Sequence, residues 1–244
     1  MKNRIFTVKS NEKLVEGVYK MTLEGDCGEI SAPGQFVNIA LEGLYLRRPI
    51  SVCDVEGDLL TIIFKVAGKG TKQLSECKAG AQLDLLTGLG NGYDISLCGD
   101  RPLLIGGGVG VPPLYLLAKR LVSAGKIPEV ILGFNTKFEI FLERAFMKIG
   151  CKVHITTVDG SAGTKGFVTD AMKEITSFDY SFSCGPEPML RAIYEKSTAD
   201  GQFSFEERMG CGFGACMGCT CKTKYGYKRI CREGPVLERG EIVW

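Results

Sequence analysis

Cys211-Gly-Phe-Gly-Ala-Cys216-Met-Gly-Cys219, with Cys231 further on, constrains this chain more than any other stretch of it. The last forty or so residues show neither helical nor strand periodicity and are too few to build a good apolar core alone, so the expected organiser is a metal centre held by thiolates. The C-x4-C-x2-C spacing with a distal fourth cysteine matches the plant-type pattern for a [2Fe–2S] centre, and thiolates are the soft ligands such clusters require. Gly210, Gly212, Gly214 and Gly218 let the backbone wrap closely, so that N–H groups can approach the sulfurs. A structural zinc site is the competing reading. Zinc knuckles usually present two short cysteine pairs, and only Cys216–Cys219 has that form here. Cys221 stands two residues from Cys219, where it would strain the loop, which favours Cys231 as the fourth ligand.

The remaining composition narrows the chemistry. Five of the chain's eleven cysteines lie in this one region, the total is odd, and Met1-Lys2-Asn3-Arg4-Ile5 is not followed by the apolar core of a secretion signal. A disulfide framework is therefore not expected. With His154 as the one histidine, histidine-centred acid–base catalysis is also not expected. His154 falls in the alternating run Lys152–Thr156 and reads as structural. Thirty basic against twenty-eight acidic residues, with no basic stripe, argue against nucleic-acid binding. The longest uncharged run, between Arg101 and Lys119, carries four glycines and three prolines and cannot span a membrane as a helix. The expectation is a soluble, cytoplasmic protein of 244 residues, long enough for two or three small domains.

Periodicity divides the chain. Over residues 1–98, short strand-like runs (Val18–Leu23, Phe36–Ala40, Leu59–Lys65, Gln82–Leu86) are separated by glycine turns, which predicts an antiparallel β-barrel. Over residues 99–203 the pattern alternates strand and helix. Pro102–Ile105 precedes Pro113–Ser123, Glu129–Phe134 precedes Phe138–Lys148, Lys152–Thr157 precedes Phe167–Ile175, and Tyr180–Ser183 precedes Pro188–Lys196. That alternation predicts an α/β domain with a parallel sheet. Residues 204–244 form the small metal module.

Two glycine turns follow predicted strands and open predicted helices. Gly106-Gly107-Gly108-Val-Gly110-Val-Pro-Pro113 can bring backbone N–H groups and a helix amino terminus to a phosphate, although it is not the usual dinucleotide fingerprint. Cys184-Gly185-Pro-Glu-Pro-Met189 places a thiol where a bound nicotinamide could be approached; a buried structural cysteine is the plainer alternative. In the barrel, Arg47-Arg48-Pro49-Ile50-Ser51 sets a guanidinium suited to a pyrophosphate beside a strand. Gly68-Lys-Gly70-Thr71 is a second candidate phosphate turn, with Thr71 as a helix cap.

Together these motifs resemble the ferredoxin–NADP reductase superfamily, a flavin barrel followed by a nicotinamide domain. Arg48-Pro49-Ile50-Ser51 occupies the place of its R-x-[YF]-[ST] flavin motif, with Ile50 departing from the aromatic. The whole chain resembles a narrower family, the electron-transfer subunits of NAD-linked dihydroorotate dehydrogenases. Leu89-Gly-Asn-Gly-Tyr-Asp94, Thr164-Lys-Gly-Phe-Val168 and Glu206-Glu-Arg-Met-Gly-Cys-Gly-Phe-Gly-Ala-Cys216 carry that likeness. The resemblance implies FAD, contacted by Arg48, Pro49, Ile50, Ser51, Ile63, Phe64, Lys65, Gly70 and Thr71. Gly107, Gly108, Gly110, Cys184 and Gly185 would face NAD as a diffusible co-substrate, and Cys211, Cys216, Cys219 and Cys231 would hold the cluster. It further implies a redox relay with no catalytic acid–base residue, from an FMN-containing dihydroorotate dehydrogenase catalytic subunit, two copies of each, through [2Fe–2S] and FAD to NAD⁺. The same relay serving a sulfide dehydrogenase, a hydrogenase or an NADH–ferredoxin transhydrogenase is the first alternative, and a zinc-bearing assembly module the second.

Overall fold

The computed structural model describes residues 1–175 and 177–244. Six antiparallel strands close a barrel: β1 (Lys2–Val15), β2 (Val18–Glu24), β3 (Phe36–Ile39), β4 (Arg48–Glu56), β5 (Leu59–Lys65) and β6 (Gln82–Leu89), in the order β1-β2-β5-β4-β3-β6. Alternation along β6 sends Leu83, Leu85 and Leu89 inward, where Leu83 and Leu85 meet Phe6, Met21, Ile39 and Leu60. Closure leaves no edge strand in the barrel for another chain to pair with. The helix α1 (Lys69–Glu76) follows β5. Gly68, not Thr71, is its N-cap; Thr71 lies inside the first turn and its hydroxyl accepts hydrogen bonds from the N–H groups of Ala67 and Gly68.

A second sheet is built from β7 (Pro102–Gly107), β8 (Glu129–Phe134), β9 (Lys152–Thr157), β10 (Thr164–Lys165), β11 (Tyr180–Cys184) and β12 (Gly201–Ser204), all parallel. Its helices are α2 (Pro113–Ser123), α3 (Glu143–Lys148), α4 (Val168–Ala171) and α5 (Glu187–Lys196). Beyond them come the hairpin β13 (Thr220–Thr223)–β14 (Gly226–Arg229) and β15 (Val236–Glu238). β15 pairs antiparallel with β12, so the sheet order is β10-β9-β8-β7-β11-β12-β15. The antiparallel barrel and the parallel-sheet α/β region stand as the periodicity predicts. Ile63 and Cys53 of the barrel pack in one core with Leu104, Leu117 and Phe182, so barrel and sheet share buried apolar surface.

Three local expectations are corrected. The helix predicted over Phe138–Lys148 is a 3₁₀ turn at Lys137–Glu139 and then α3, because Leu142 takes a left-handed conformation (φ 63°) that interrupts the run. The helix over Phe167–Ile175 is α4 running into a 3₁₀ turn at Met172–Glu174. The carboxyl-terminal region does contain strands, but at three or four residues each they are too short to display a period-2 pattern. Among the described residues no helix is long and apolar enough to cross a membrane.

Candidate functional site

The flavin motif opens β4. In register, Arg48 pairs with Ile39, Pro49 with Asn38, Ile50 with Val37 and Ser51 with Phe36. All four motif residues are half-buried, whereas Val52 and Cys53 beyond them are fully buried, so this end of the strand is the part the barrel leaves open. The adjacent arginines have different surroundings. Arg47 donates to Asp84 Oδ1 at 2.9 Å and to the Asn38 carbonyl at 3.2 Å, and is held as structure. Arg48 bonds backbone carbonyls, those of Leu46 and Arg47, and among the described residues no carboxylate lies within ion-pair distance of it. Its side chain lies against Gly70 in the first turn of α1, where a Cβ would overlap the guanidinium. An uncompensated cation beside a helix amino terminus is the chemistry a pyrophosphate requires. Ile63 and Phe64 are buried, Phe64 stacking on Tyr19 with ring centroids 6.0 Å apart, which leaves their backbone and the exposed Lys65 as the groups available to a ligand.

The two glycine motifs meet. β7 and β11 are neighbours, with Gly106 in register with Cys184. From β7 the order runs outward through β8 and β9 on one side and through β11 and β12 on the other, so the carboxyl ends of β7 and β11 mark the switch point where open α/β sheets bind ligands. Gly107 fits under Met189, a Cβ there standing 2.5 Å from its sulfur, and a Cβ on Gly110 would overlap the Cys184 carbonyl. Gly108 adopts φ 53°. The turn is therefore shaped by close backbone approach. Burial pushes the Cys184 thiol up to about 12, so it stands there as a neutral group. Tyr93, from the junction motif, also donates to the Ser183 carbonyl at 3.0 Å. His154 lies away from both turns, 2.9 Å from Glu129, and is structural as expected.

The cysteine loop brings its sulfurs together in two pairs. Cys211 Sγ accepts N–H bonds from Ala215 at 3.2 Å, Cys216 at 3.4 Å and Phe213 at 3.5 Å, and Cys216 Sγ accepts from the Cys211 N–H at 3.4 Å. Gly212 (φ 77°) and Gly214 (φ 91°) make that wrapped backbone possible. Burial opposes ionisation of Cys211, but the N–H groups of Phe213, Cys216 and Ala215 outweigh it and bring the thiol down to about 6. The second pair is Cys219 and Cys231, both buried, with the Cys231 N–H 3.4 Å from Cys219 Sγ. Burial, then the adjacent Cys219, pushes the Cys231 thiol up to about 12. Two pairs of cysteine sulfurs suit a cluster with two iron atoms, each iron taking one pair. Cys221, on β13, faces Lys228 across the hairpin and takes no part in either pair.

The loop is anchored on both sides. Arg229 Nη1 donates to the Gly214 carbonyl at 2.6 Å, and Arg229 is itself ion-paired with Glu233. Asn38, in β3, donates through Nδ2 to the Cys211 carbonyl at 3.1 Å. Sequence reasoning passed over Asn38. Its signal is a single amide inside the otherwise apolar strand Phe36-Val-Asn-Ile39, every residue of which is buried.

Residues 206–243 match the family model described as the iron-sulfur cluster binding domain of dihydroorotate dehydrogenase B. The full chain is 45% identical to the dihydroorotate dehydrogenase B (NAD⁺) electron transfer subunit of Geobacillus sp. (strain WCH70), covering 100% of this chain and 99% of that protein. It is 45% identical to the subunit of the same name from Fusobacterium nucleatum, with 99% of each covered. Among solved structures it is similar to a chain of the NADH-dependent reduced ferredoxin-NADP oxidoreductase (TM-score 0.90, 32% identity, 98% of this chain and 90% of that one). The fold alone is shared with the Amycolatopsis cytochrome P450 reductase GcoB (TM-score 0.70, 20% identity, 80% of this chain and 65% of that one).

Proposed function

The chain belongs to the family of dihydroorotate dehydrogenase B (NAD⁺) electron transfer subunits, and on that premise we propose how its residues divide the work. It is an oxidoreductase component of pyrimidine biosynthesis that takes electrons from a catalytic subunit oxidising dihydroorotate and delivers them to NAD⁺. Bound FAD and [2Fe–2S] supply the redox chemistry, the flavin exchanging a hydride with nicotinamide and single electrons with the cluster.

The protein supplies position and charge. Cys211, Cys216, Cys219 and Cys231 hold the irons, and the N–H groups around Cys211 Sγ stabilise negative charge on the cluster. Arg48 and the first turn of α1, with Gly70 and Thr71, hold the FAD pyrophosphate. Pro49, Ile50, Ser51 and the backbone of Ile63–Lys65 line the flavin, with the Ser51 hydroxyl near its ring. Gly107, Gly108, Gly110 and Gly185 admit the nicotinamide nucleotide, and the neutral Cys184 thiol borders its ring. No acid–base residue is assigned, since hydride exchange with a flavin asks for none from this chain. The partner is an FMN-containing catalytic subunit, present with this one in two copies each, in the cytoplasm; exposed Phe213 and Met217 on the cluster loop offer it an apolar contact.

The observation that carries this reading is that β3, the strand paired with the flavin motif, also holds the cluster loop through Asn38. The experiment is anaerobic purification of the native complex, addition of dihydroorotate and NAD⁺, and measurement of NADH. NADH formation that ceases when this subunit is withdrawn is the expected result. Absence of NADH with intact flavin and cluster spectra would move the relay to another partner. The likeness to the ferredoxin-NADP oxidoreductase chain makes reduced ferredoxin the donor to try next.

A further inference from the structure

We propose that Asn38 is a positioning residue for electron transfer: its side-chain amide pins the cluster loop at Cys211 to the barrel strand that backs the flavin motif, and so fixes how the two centres approach each other. The inference deepens the reading above and rests on it.

The amide is out of place on packing grounds. Asn38 is 1% exposed within a fully buried strand, and its Oδ1 is buried with no hydrogen-bond partner. An amide in such a place is costly unless its bonds are made, and a leucine, branched at the same carbon, would carry no such cost. The bond that Asn38 does make, Nδ2 to the Cys211 carbonyl at 3.1 Å, goes to the backbone of a cluster cysteine.

Its own backbone is fixed from the other direction. Asn38 lies opposite Pro49 in the β3–β4 register, and its carbonyl accepts from Arg47 Nη1 at 3.2 Å while Arg47 is held by Asp84. One side chain therefore separates the flavin motif from the backbone of Cys211. The loop is shaped to receive it. Gly212 sits at φ 77°, and a Cβ there would overlap the Asn38 amide. Of the three side chains that grip loop carbonyls among the described residues, Arg229 and Thr220 belong to the same carboxyl-terminal region as the loop, and Asn38 alone comes from the barrel. Single-electron transfer slows steeply with separation, so a tether of this kind acts on rate without touching a reacting atom.

The test uses the native complex carrying unmodified chain, Asn38→Leu or Asn38→Ser. Each is mixed anaerobically with NADH, flavin bleaching is followed by absorbance, and cluster reduction by freeze-quench EPR. The expected result is flavin reduction within about twofold of the unmodified complex, cluster reduction slowed about tenfold or more, and an altered EPR line shape of the reduced cluster. Amide hydrogen exchange at Phe213–Cys216 should accelerate about fivefold or more in both variants, a readout that needs no turnover. Cluster reduction and exchange at unmodified rates in a folded variant would overturn the proposal, as would equal slowing of flavin and cluster reduction, which would make Asn38 a general support of the barrel. Should the leucine variant fail to fold, the serine variant decides, because its small side chain fits the site but cannot reach Cys211. An unmodified complex whose cluster NADH never reduces would overturn the relay itself, and hydrogen exchange would still decide whether Asn38 pins the loop.

Discussion

Lys119 of α2 reaches Asp54 of β4, with Nζ 2.8 Å from Oδ2, and so clamps the nucleotide-binding sheet to the strand that begins with the flavin motif. Asp54 is 13% exposed and Lys119 24%, so water replaces neither partner well, while the second bond of Lys119, to the exposed Glu56, adds little. Lys119→Met should leave Asp54 unpaired at a cost of about 2 kcal/mol, read as a lower urea midpoint at pH 7. An unchanged midpoint would show that the shared apolar core alone holds the two parts together.

Arg47 and Arg48 should separate cleanly on substitution. Arg48→Ala removes the cation beside α1, and FAD affinity should fall about 30-fold when the stripped protein is titrated with FAD. Arg47→Ala removes the bond to Asp84, and should lower the denaturation midpoint with FAD affinity nearly unchanged. The reverse pattern would exchange their roles.

Gly110→Ala would press a methyl group into the Cys184 carbonyl, wedging apart the two turns at the switch point. NADH-driven ferricyanide reduction should drop about tenfold or more, with FAD and iron content retained.

Cys231→Ser should lose the cluster and keep FAD, whereas Cys221→Ser should keep both, since Cys231 and not Cys221 pairs with Cys219. Iron analysis and the visible spectrum of the two variants check this. Cluster loss in Cys221→Ser alone would reassign the fourth ligand.

Alkali should destabilise the fold through its buried thiols. Burial raises Cys27 and Cys151 from the ordinary 9.0 to about 11, and Cys184 to about 12. Because these pKa values are raised on folding, the native state holds protons that the unfolded chain releases. The resulting stability is complete below pH 9 and is lost as pH rises through 11 and 12. By pH 10.5 each thiol can withdraw up to about 2 kcal/mol, so the urea midpoint should fall between pH 8 and pH 10.5. A flat midpoint over that range would mean the thiols ionise freely in the folded chain.

The parts of this architecture legible in the sequence are those whose chemistry is local. Cysteines on one short loop announce a cluster because the spacing of ligands is itself the constraint, and the turn from Gly106 to Gly110 announces a switch point because strand, glycines and helix follow one another along the chain. β1 was not legible: in fourteen residues it buries only Phe6 and Val8 fully, so its polar composition hides a strand that the closed barrel requires. The helix over Phe138–Lys148 failed at a left-handed leucine that no propensity marks. Adjacent Arg47 and Arg48 read alike until Asp84, far along the chain, claims one of them. Asn38 was visible only as an anomaly, since its partner lies in another segment altogether.

Because Ser204 faces Val236 across β12 and β15, residues 205–235 form, in topological terms, the oversized tip of a hairpin rather than an appendage on a tether. The ends of such a tip lie side by side, so a short turn joining them would take its place and leave the rim of the nucleotide-binding sheet paired. A protease that nicks the cluster loop would leave the tail stitched in place, because β15 stays paired with β12 on the far side of the cut.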